Sequence, residues 1–311
     1  MASYRLCDTV ASLDIALSVL VNADTIFIDC EGRDLGETGG RLSLISLGAL
    51  HPIPGVAADH LSVFLIDVIK LSEDGILEPI YELLRRDTVL KVGYDLRMDA
   101  AEFWHGHGVQ LENVLDLQVA DIMARAVRRE GLDEQLKRLV GFVPRHELRR
   151  NREMWVNVHK LNGLDWALKD LGLAITAKQK VDHSLWLERP LDLLHLEYAA
   201  EDIHKVQLLY DAMLSNRLMN KEKVIKQSQV YSRLHLATRP DRYNKYKHHG
   251  LVPLAVFLEA EPPVTFVCPF CERNLPVNCF PSGRKHADEA WRCFNCWAID
   301  KRGEYYTSGR R

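Results

Sequence analysis

Four acidic residues and one tyrosine, spread over three separated segments, constrain this chain more than any other feature. They are Asp29 and Glu31 in IFIDCEG, Asp99 in KVGYDLRMDAAEF, and Tyr198 with Asp202 in LEYAAEDIHKVQLLY. Thr25 to Cys30 is β-branched and apolar and reads as a strand. Side chains alternate along a strand, so Asp29 and Glu31 share a face. A buried strand seldom ends in two same-face acids without a use for them; the bland alternative is a pair of solvated acids. Val89 to Gly93 reads as a second strand running into a helix near Arg97. Asp95 there suits the helix N-cap, which leaves Asp99, one turn further in, as the candidate ligand. In the third segment Leu193, Leu196, Ala200, Ile203 and Leu208 form one apolar stripe, with no Gly or Pro over 191–218. Tyr198 and Asp202, four apart, lie on one helix face. Four carboxylates gathered in one cleft repel each other and need cations. Two divalent metals about 4 Å apart meet that need and cleave phosphodiesters.

Together these segments resemble the DEDD superfamily of 3′–5′ exonucleases, in the subgroup whose third motif is Tyr-x-x-x-Asp, to which ribonuclease D and the exosome-associated nuclease belong. IDCEGRDLGETGGRLSLISL is similar to the Egalitarian-like exonuclease-domain proteins. The likeness extends through KVGYDLRMDA, VLDLQVADI and LERPLDLLHLEYAAEDIHKVQLLY, so it covers roughly residues 20–215. One departure is Tyr94, where many relatives have a histidine; an altered cleft rim is the expected consequence. The resemblance implies two Mg²⁺ or Mn²⁺ ions. Asp29 bridges them, Glu31 and Asp202 complete one site, and Asp99 holds the other. Hard oxygen ligands suit such ions. Tyr198 orients the attacking water, since a phenol with a pKa of about 10 is a poor base at neutral pH. The implied reaction is release of nucleoside 5′-monophosphates from a free 3′ end of single-stranded nucleic acid, with RNA favoured on the resemblance alone. The alternative is a catalytically silent binding scaffold or adaptor on the same fold. Such scaffolds usually lack one of the acids, and all are present here.

The expected architecture is α/β, a mixed ribonuclease H-like sheet flanked by helices over residues 1–217. Strands are expected near 25–30, 41–48, 63–68 and 89–94, with a short fifth near 113–117. Helices are expected near 74–86, 97–106, 118–128, 162–171 and 191–216. Pro190 suits the first turn of the last helix. A basic helical connector, 218–250, then leads to a small zinc-ribbon-like module, 251–311. No uncharged apolar run reaches membrane-spanning length. Asp8 and Asp14, within a helical N-terminal pattern, argue against a secretory or mitochondrial presequence. The expected location is intracellular, cytoplasmic or nuclear.

The net charge of −3 conceals a division. Residues 217–250 hold nine Lys or Arg against Glu222 and Asp241, leaving the rest of the chain strongly acidic. Such a segment can follow a phosphate backbone, with Lys221, Lys223 and Lys226 as candidate contacts. Tyr231, Tyr243 and Tyr246 interleave as candidate stacking rings. The bland alternative is a solvated helix and linker. A second basic run, Arg145 to Trp155, offers Arg145, Arg149, Arg150 and Arg152. It either lines a substrate channel or forms an ordinary surface helix. Lys178, Lys180 and Trp186 match family positions thought to shape the entrance, with packing or solvation as the alternative.

Cys268, Cys271, Cys293 and Cys296 form C-x2-C, 21 residues, C-x2-C. Two thiolate pairs at that spacing bind one tetrahedral zinc; disulfides are the alternative, disfavoured in a reducing compartment. Cys279 and His286 lie between the pairs and read either as bystanders or as substitute ligands; Cys7 and Cys30 read as ordinary buried thiols. The eight aromatic residues of this short region are expected mainly to pack around the metal or against the catalytic domain; the alternative is that some grip single strands or a partner protein.

Overall fold

The computed structural model describes residues 3–51, 60–156, 158–173, 180–246, 250–253, 256, 264–281 and 291–307. Lys178 and His286 lie outside them. Six strands, β1 (Arg5–Cys7), β2 (Thr25–Arg33), β3 (Arg41–His51), β4 (His60–Asp67), β5 (Leu90–Gly93) and β6 (Val114–Asp116), form one sheet in the order β1-β4-β3-β2-β5-β6. β3 is antiparallel to β2 and β4, and the remaining pairings are parallel, so the sheet is mixed. The described helices are α1 (Val10–Leu20), α2 (Glu78–Arg85), α3 (Arg97–His107), α4 (Leu117–Val127), α5 (Leu132–Leu139), α6 (Arg145–Arg150), α7 (Leu164–Asp170), α8 (Leu193–Ser215), α9 (Lys221–Ser232) and α10 (Phe294–Thr307). Two short ribbons complete the structure: β7 (Val158–Lys160) with β8 (Leu251–Pro253), and β9 (Thr265–Val267) with β10 (Asn274–Pro276). No described helix is long and apolar enough to cross a membrane.

Strand alternation divides the core into two layers. Ile26, Ile28 and Cys30 face α1, α2 and α3, whereas Phe27 faces α8, beside Leu196, Ala199 and Ile203. Asp29 and Glu31 continue the Phe27 face. Two glycines permit the approach of neighbouring groups. A Cβ on Gly93 would stand 2.7 Å from the Ile28 carbonyl, where β5 leaves the sheet for α3. A Cβ on Gly48 would stand 2.6 Å from Ile203, so α8 lies directly on β3.

Several local expectations are corrected. β1 is too short to carry a periodic signal, and α1 begins only after Thr9, whose hydroxyl caps it, so Asp8 precedes the helix. Pro190 lies before α8; the cap is Asp192, which accepts from the His195 amide. Asp95 is not the N-cap of α3. That position is Leu96, and Asp95 adopts a left-handed backbone with φ 60°. Its carboxylate turns to Arg97 at 2.6 and 2.8 Å. The amides of Asp95 and Leu96 instead donate to the buried Asp116 carboxylate, which also caps α4.

The basic segment after α8 packs onto the sheet domain. Tyr231 is fully buried and bonds to Gln118 at 2.6 Å and to Asp95 at 2.9 Å, so it is a core residue and no base-stacking platform. Arg233 pairs with Glu112, Arg239 with Glu102 and Arg242 with Asp34, which corrects the reading of the whole segment as a phosphate track. Lys221, Lys223 and Lys226 are exposed on α9. Beyond them β8 pairs with β7. Phe294 and Ala298 of α10 share a core with Leu139, Val143, Leu148 and Trp155.

Candidate active site

β2 pairs with β5 only from Thr25 to Phe27. Asp29 and Glu31 therefore lie beyond that pairing, just before the irregularity between Glu31 and Gly32. Parallel strands open a crevice at their carboxyl ends, where ligands bind in α/β sheets. α8 crosses this face and contributes Asp202. Single carboxylate oxygens of Asp29, Glu31 and Asp202 all lie within 4.8 Å of one another. Glu31 and Asp202 are each only 8% exposed. Asp29 is half-buried. Three carboxylates this close form an all-oxygen donor set that fits a hard divalent cation.

Asp99 is not in that tight trio, but it borders the same strand. Burial and the neighbouring Asp99 charge raise the pKa of Cys30, which sits between Asp29 and Glu31 in sequence. Burial pushes the Asp99 carboxyl up to about 7; Asp95 and Asp116 also raise it, and the backbone and the Cys30 side chain hold it down. Its Oδ1 is buried without a hydrogen-bond partner among the described residues. An orphaned carboxylate oxygen of this kind also fits a cation. Cys30 is thus buried beside Asp99, a placement its apolar surroundings in sequence do not signal.

Tyr198 projects from α8 one turn before Asp202. Its ring meets His183 edge-on at 5.8 Å and Trp186 at 6.1 Å. Trp186 is fully buried and also packs edge-on against His195 at 4.7 Å. It is a wall behind Tyr198. The short helical turn His183–Leu187 that carries it is held by Arg189, which grips both oxygens of Asp67 at 2.7 and 2.8 Å and donates to the Trp186 carbonyl at 2.9 Å. Tyr94 is buried and donates to the Asn162 carbonyl at 2.7 Å, so the departure from histidine is absorbed inside the fold and not at a cleft rim.

Sequence reasoning misses Lys205. Its ammonium lies 3.2 Å from Asp165, 3.3 Å from Glu201 and 3.8 Å from Asp202, with the side chain 5% exposed. Glu201 and Asp202 are four and three residues away on the same helix, and that spacing is the available signal.

The cysteines form a second cluster. All four are fully buried, and their Sγ atoms lie within 4.8 Å of one another. Cys268 to Cys296 and Cys271 to Cys293 are 3.8 Å apart, and Cys293 to Cys296 is 3.6 Å. A tetrahedral centre with metal–sulfur bonds of about 2.3 Å has sulfurs about 3.8 Å apart; a disulfide would need about 2.05 Å. The donor set fits zinc. Phe280 and Trp291 stack at 4.0 Å beside the cluster, with Phe266 edge-on to Trp291. Cys279 is buried and outside the four-sulfur group.

Of the basic candidates, Arg145, Arg149 and Arg150 are exposed on α6, and Arg152 pairs with Asp133 at 2.6 Å.

Comparison with known proteins places this geometry. The chain is 27% identical over 199 residues to the piRNA biogenesis protein EXD1 of Xenopus laevis, which covers 64% of this chain and 39% of that protein. The chain thus spans well under half the length of that relative. The structure is similar to Trypanosoma brucei RNase D, with a TM-score of 0.58 at 24% identity, covering 87% of this chain and 85% of that one. The same enzyme in complex with RNA U12 matches with a TM-score of 0.57 at 24% identity, covering 87% and 83%. These likenesses show an RNase D-like fold. Residues 4–217 match the family model of the 3′–5′ exonuclease domain. The acid-bearing strand and the long helix that meets it both fall inside that span, and the chain belongs to the 3′–5′ exonuclease family.

Proposed function

We propose that this exonuclease trims single-stranded RNA from its 3′ end to nucleoside 5′-monophosphates, using two divalent ions. The observation that carries this reading is the convergence of Asp29, Glu31 and Asp202 within 4.8 Å. Asp29, Glu31 and Asp202 would hold one magnesium or manganese ion, and Asp29 with Asp99 a second. Such ions, when bound, supply Lewis acidity at the phosphate and ease ionisation of a water. Tyr198, held from behind by Trp186 and His183, orients the attacking water through its hydroxyl. Lys205 keeps the Asp202 carboxylate in place from the protein side. The four cysteines hold a structural zinc.

The preference for RNA is supported by the fold shared with an RNase D whose structure contains RNA U12. The metal chemistry itself acts on either backbone, so discrimination rests on contacts to the 2′-hydroxyl. We assign substrate contacts to Arg145, Arg149 and Arg150, with Arg152, Lys221, Lys223 and Lys226 at the periphery. Incubating 5′-labelled RNA and DNA with the protein and Mn²⁺ tests the reading. A ladder shortening from the 3′ end on RNA, absent with Asp29→Asn, is expected. Equal degradation by the Asn variant, or no degradation of either substrate, would overturn it.

A further inference from the structure

A cavity of about 730 Å³ lies where α6 meets α10, and none of the active-site acids lines it. Arg145, His146, Arg149 and Arg150 line it from one side, Arg302 from the other, and Phe142 forms part of its wall. None of its described lining residues is acidic. Among the described residues, no carboxylate lies within ion-pairing distance of Arg145, Arg149 or Arg150. That sets them apart from Arg138, Arg152, Arg189 and Arg239, each of which has one. Glu147, the acid of the same helix, is buried and bonded to Asn151 at 2.7 Å. A protein of net charge −3 has thus placed three arginines without such partners along one side of a concavity. Their mutual repulsion is costly in isolation and is relieved by a polyanion.

Arg302 belongs to the cysteine module. It lies six residues beyond Cys296, on the helix that emerges from the sulfur cluster. Phe294 and Ala298, on the same helix, are packed into the core beneath α5 and α6. The guanidinium stands 5.6 Å over the Phe142 ring, and Lys160 stands 5.9 Å from the same ring. With cations at its face, Phe142 supports charge instead of offering an open surface to a base. The chemistry recognised is therefore phosphate.

We propose that this cavity binds the phosphodiester backbone of the substrate strand, at nucleotides upstream of the 3′ end, and that the cysteine module exists in part to bring Arg302 into it. The proposal rests on the RNA-exonuclease reading above. It gives the C-terminal module a substrate-binding role in addition to a structural one.

The test measures binding separately from hydrolysis. The full-length chain carrying Asp29→Asn, in buffer without added magnesium or manganese, is titrated into fluorescently labelled single-stranded RNA. No chelator is used, because it would strip a cysteine-bound metal. Arg149→Glu and Arg302→Glu are each expected to weaken binding of a long RNA by about tenfold or more. They should also flatten the salt dependence, by about 0.7 in logarithmic slope for every phosphate that the protein no longer neutralises. Arg302→Lys, which keeps the charge, is expected to recover most of the affinity. Circular dichroism and metal content, unchanged from the parent, show that each variant is folded. Unaltered affinity in Arg302→Glu overturns the composite pocket. Displacement of RNA by a polyglutamate peptide of equal charge at equal affinity reassigns the cavity to acidic protein and also overturns it. Hydrolysis by the wild-type chain is scored in a separate assay, so failure of the exonuclease reading leaves a different signature from failure of the pocket.

Discussion

Gly48 of β3 and Ile203 of α8 meet with no side chain between them: a Cβ on Gly48 would come within 2.6 Å of the Ile203 Cγ2 methyl. Ile203 directly follows Asp202, so this contact sets the height of the helix above the acids of β2. The β-branched side chain has little rotamer freedom with which to yield. Gly48→Ala is expected to lift α8, costing about 1–3 kcal/mol of stability as overpacking does. The exonuclease rate should fall further than the smaller folded fraction explains. Thermal melting and initial rates measured on one preparation check this; unchanged Tm and rate would show that the helix moves freely.

Tyr198→Phe keeps the ring contacts to His183 and Trp186 and removes only the hydroxyl. If that hydroxyl orients the water, kcat should drop by about 10²-fold with KM nearly constant. A rise in KM with kcat preserved would instead make Tyr198 a substrate contact.

Lys205→Met leaves Asp165, Glu201 and Asp202 without their shared cation. Breaking a buried pair costs about 3–5 kcal/mol. Asp165 and Glu201 retain side-chain exposures of 30% and 25%, so solvent screening lowers the expected cost. A decrease of about 2 kcal/mol in urea denaturation is the expected outcome. A variant as stable as the parent would show that the three acids do not depend on Lys205.

His159 on β7 is 8% exposed, and both ring nitrogens lack hydrogen-bond partners among the described residues. Burial lowers its pKa to about 4, with Arg125 lowering it further and Glu130 opposing. An unfolded histidine titrates near pH ~6.5. Between these values the unfolded chain binds a proton that the folded chain refuses. Stability is therefore complete above about pH 6.5 and declines by about 3 kcal/mol as pH falls to about 4. His159→Asn should flatten that part of the stability–pH curve; a curve unchanged by the substitution would assign the decline to other groups.

Elemental analysis of the purified chain should find one zinc. Cys271→Ser should release it and lower the melting temperature, because α10 carries Cys296 and packs Phe294 and Ala298 against α5 and α6. Structural zinc sites contribute directly to folding. A metal-free parent with the same melting temperature would rule out a structural zinc.

Much of the candidate site is legible in the sequence because helical and strand periods are local. Two residues apart on β2, and four apart on α8, Asp29 with Glu31 and Tyr198 with Asp202 announce shared faces wherever the elements go. The paired C-x2-C spacing is legible for the same reason. Asp95 misleads because a left-handed backbone leaves no periodic trace, and because the group that accepts the nearby amides, Asp116, is 21 residues away. Tyr231 looks like a stacking residue because its partners, Asp95 and Gln118, are over a hundred residues distant. The arginines at 233, 239 and 242 look available for the same reason.

The amino-acid sequence by itself determined which side chains share a face, which segments alternate and which coil, and which cysteines come in pairs. Only the tertiary structure decided that α8 lies on β2 and β3 closely enough to join Asp202 to Asp29 and Glu31, that Lys205 shares Asp202 with two other acids, and that Arg302 stands over Phe142. Periodicity is written in neighbours, whereas these encounters depend on how finished elements pack, on a missing Cβ at Gly48 and on an apolar contact of α10 with α6.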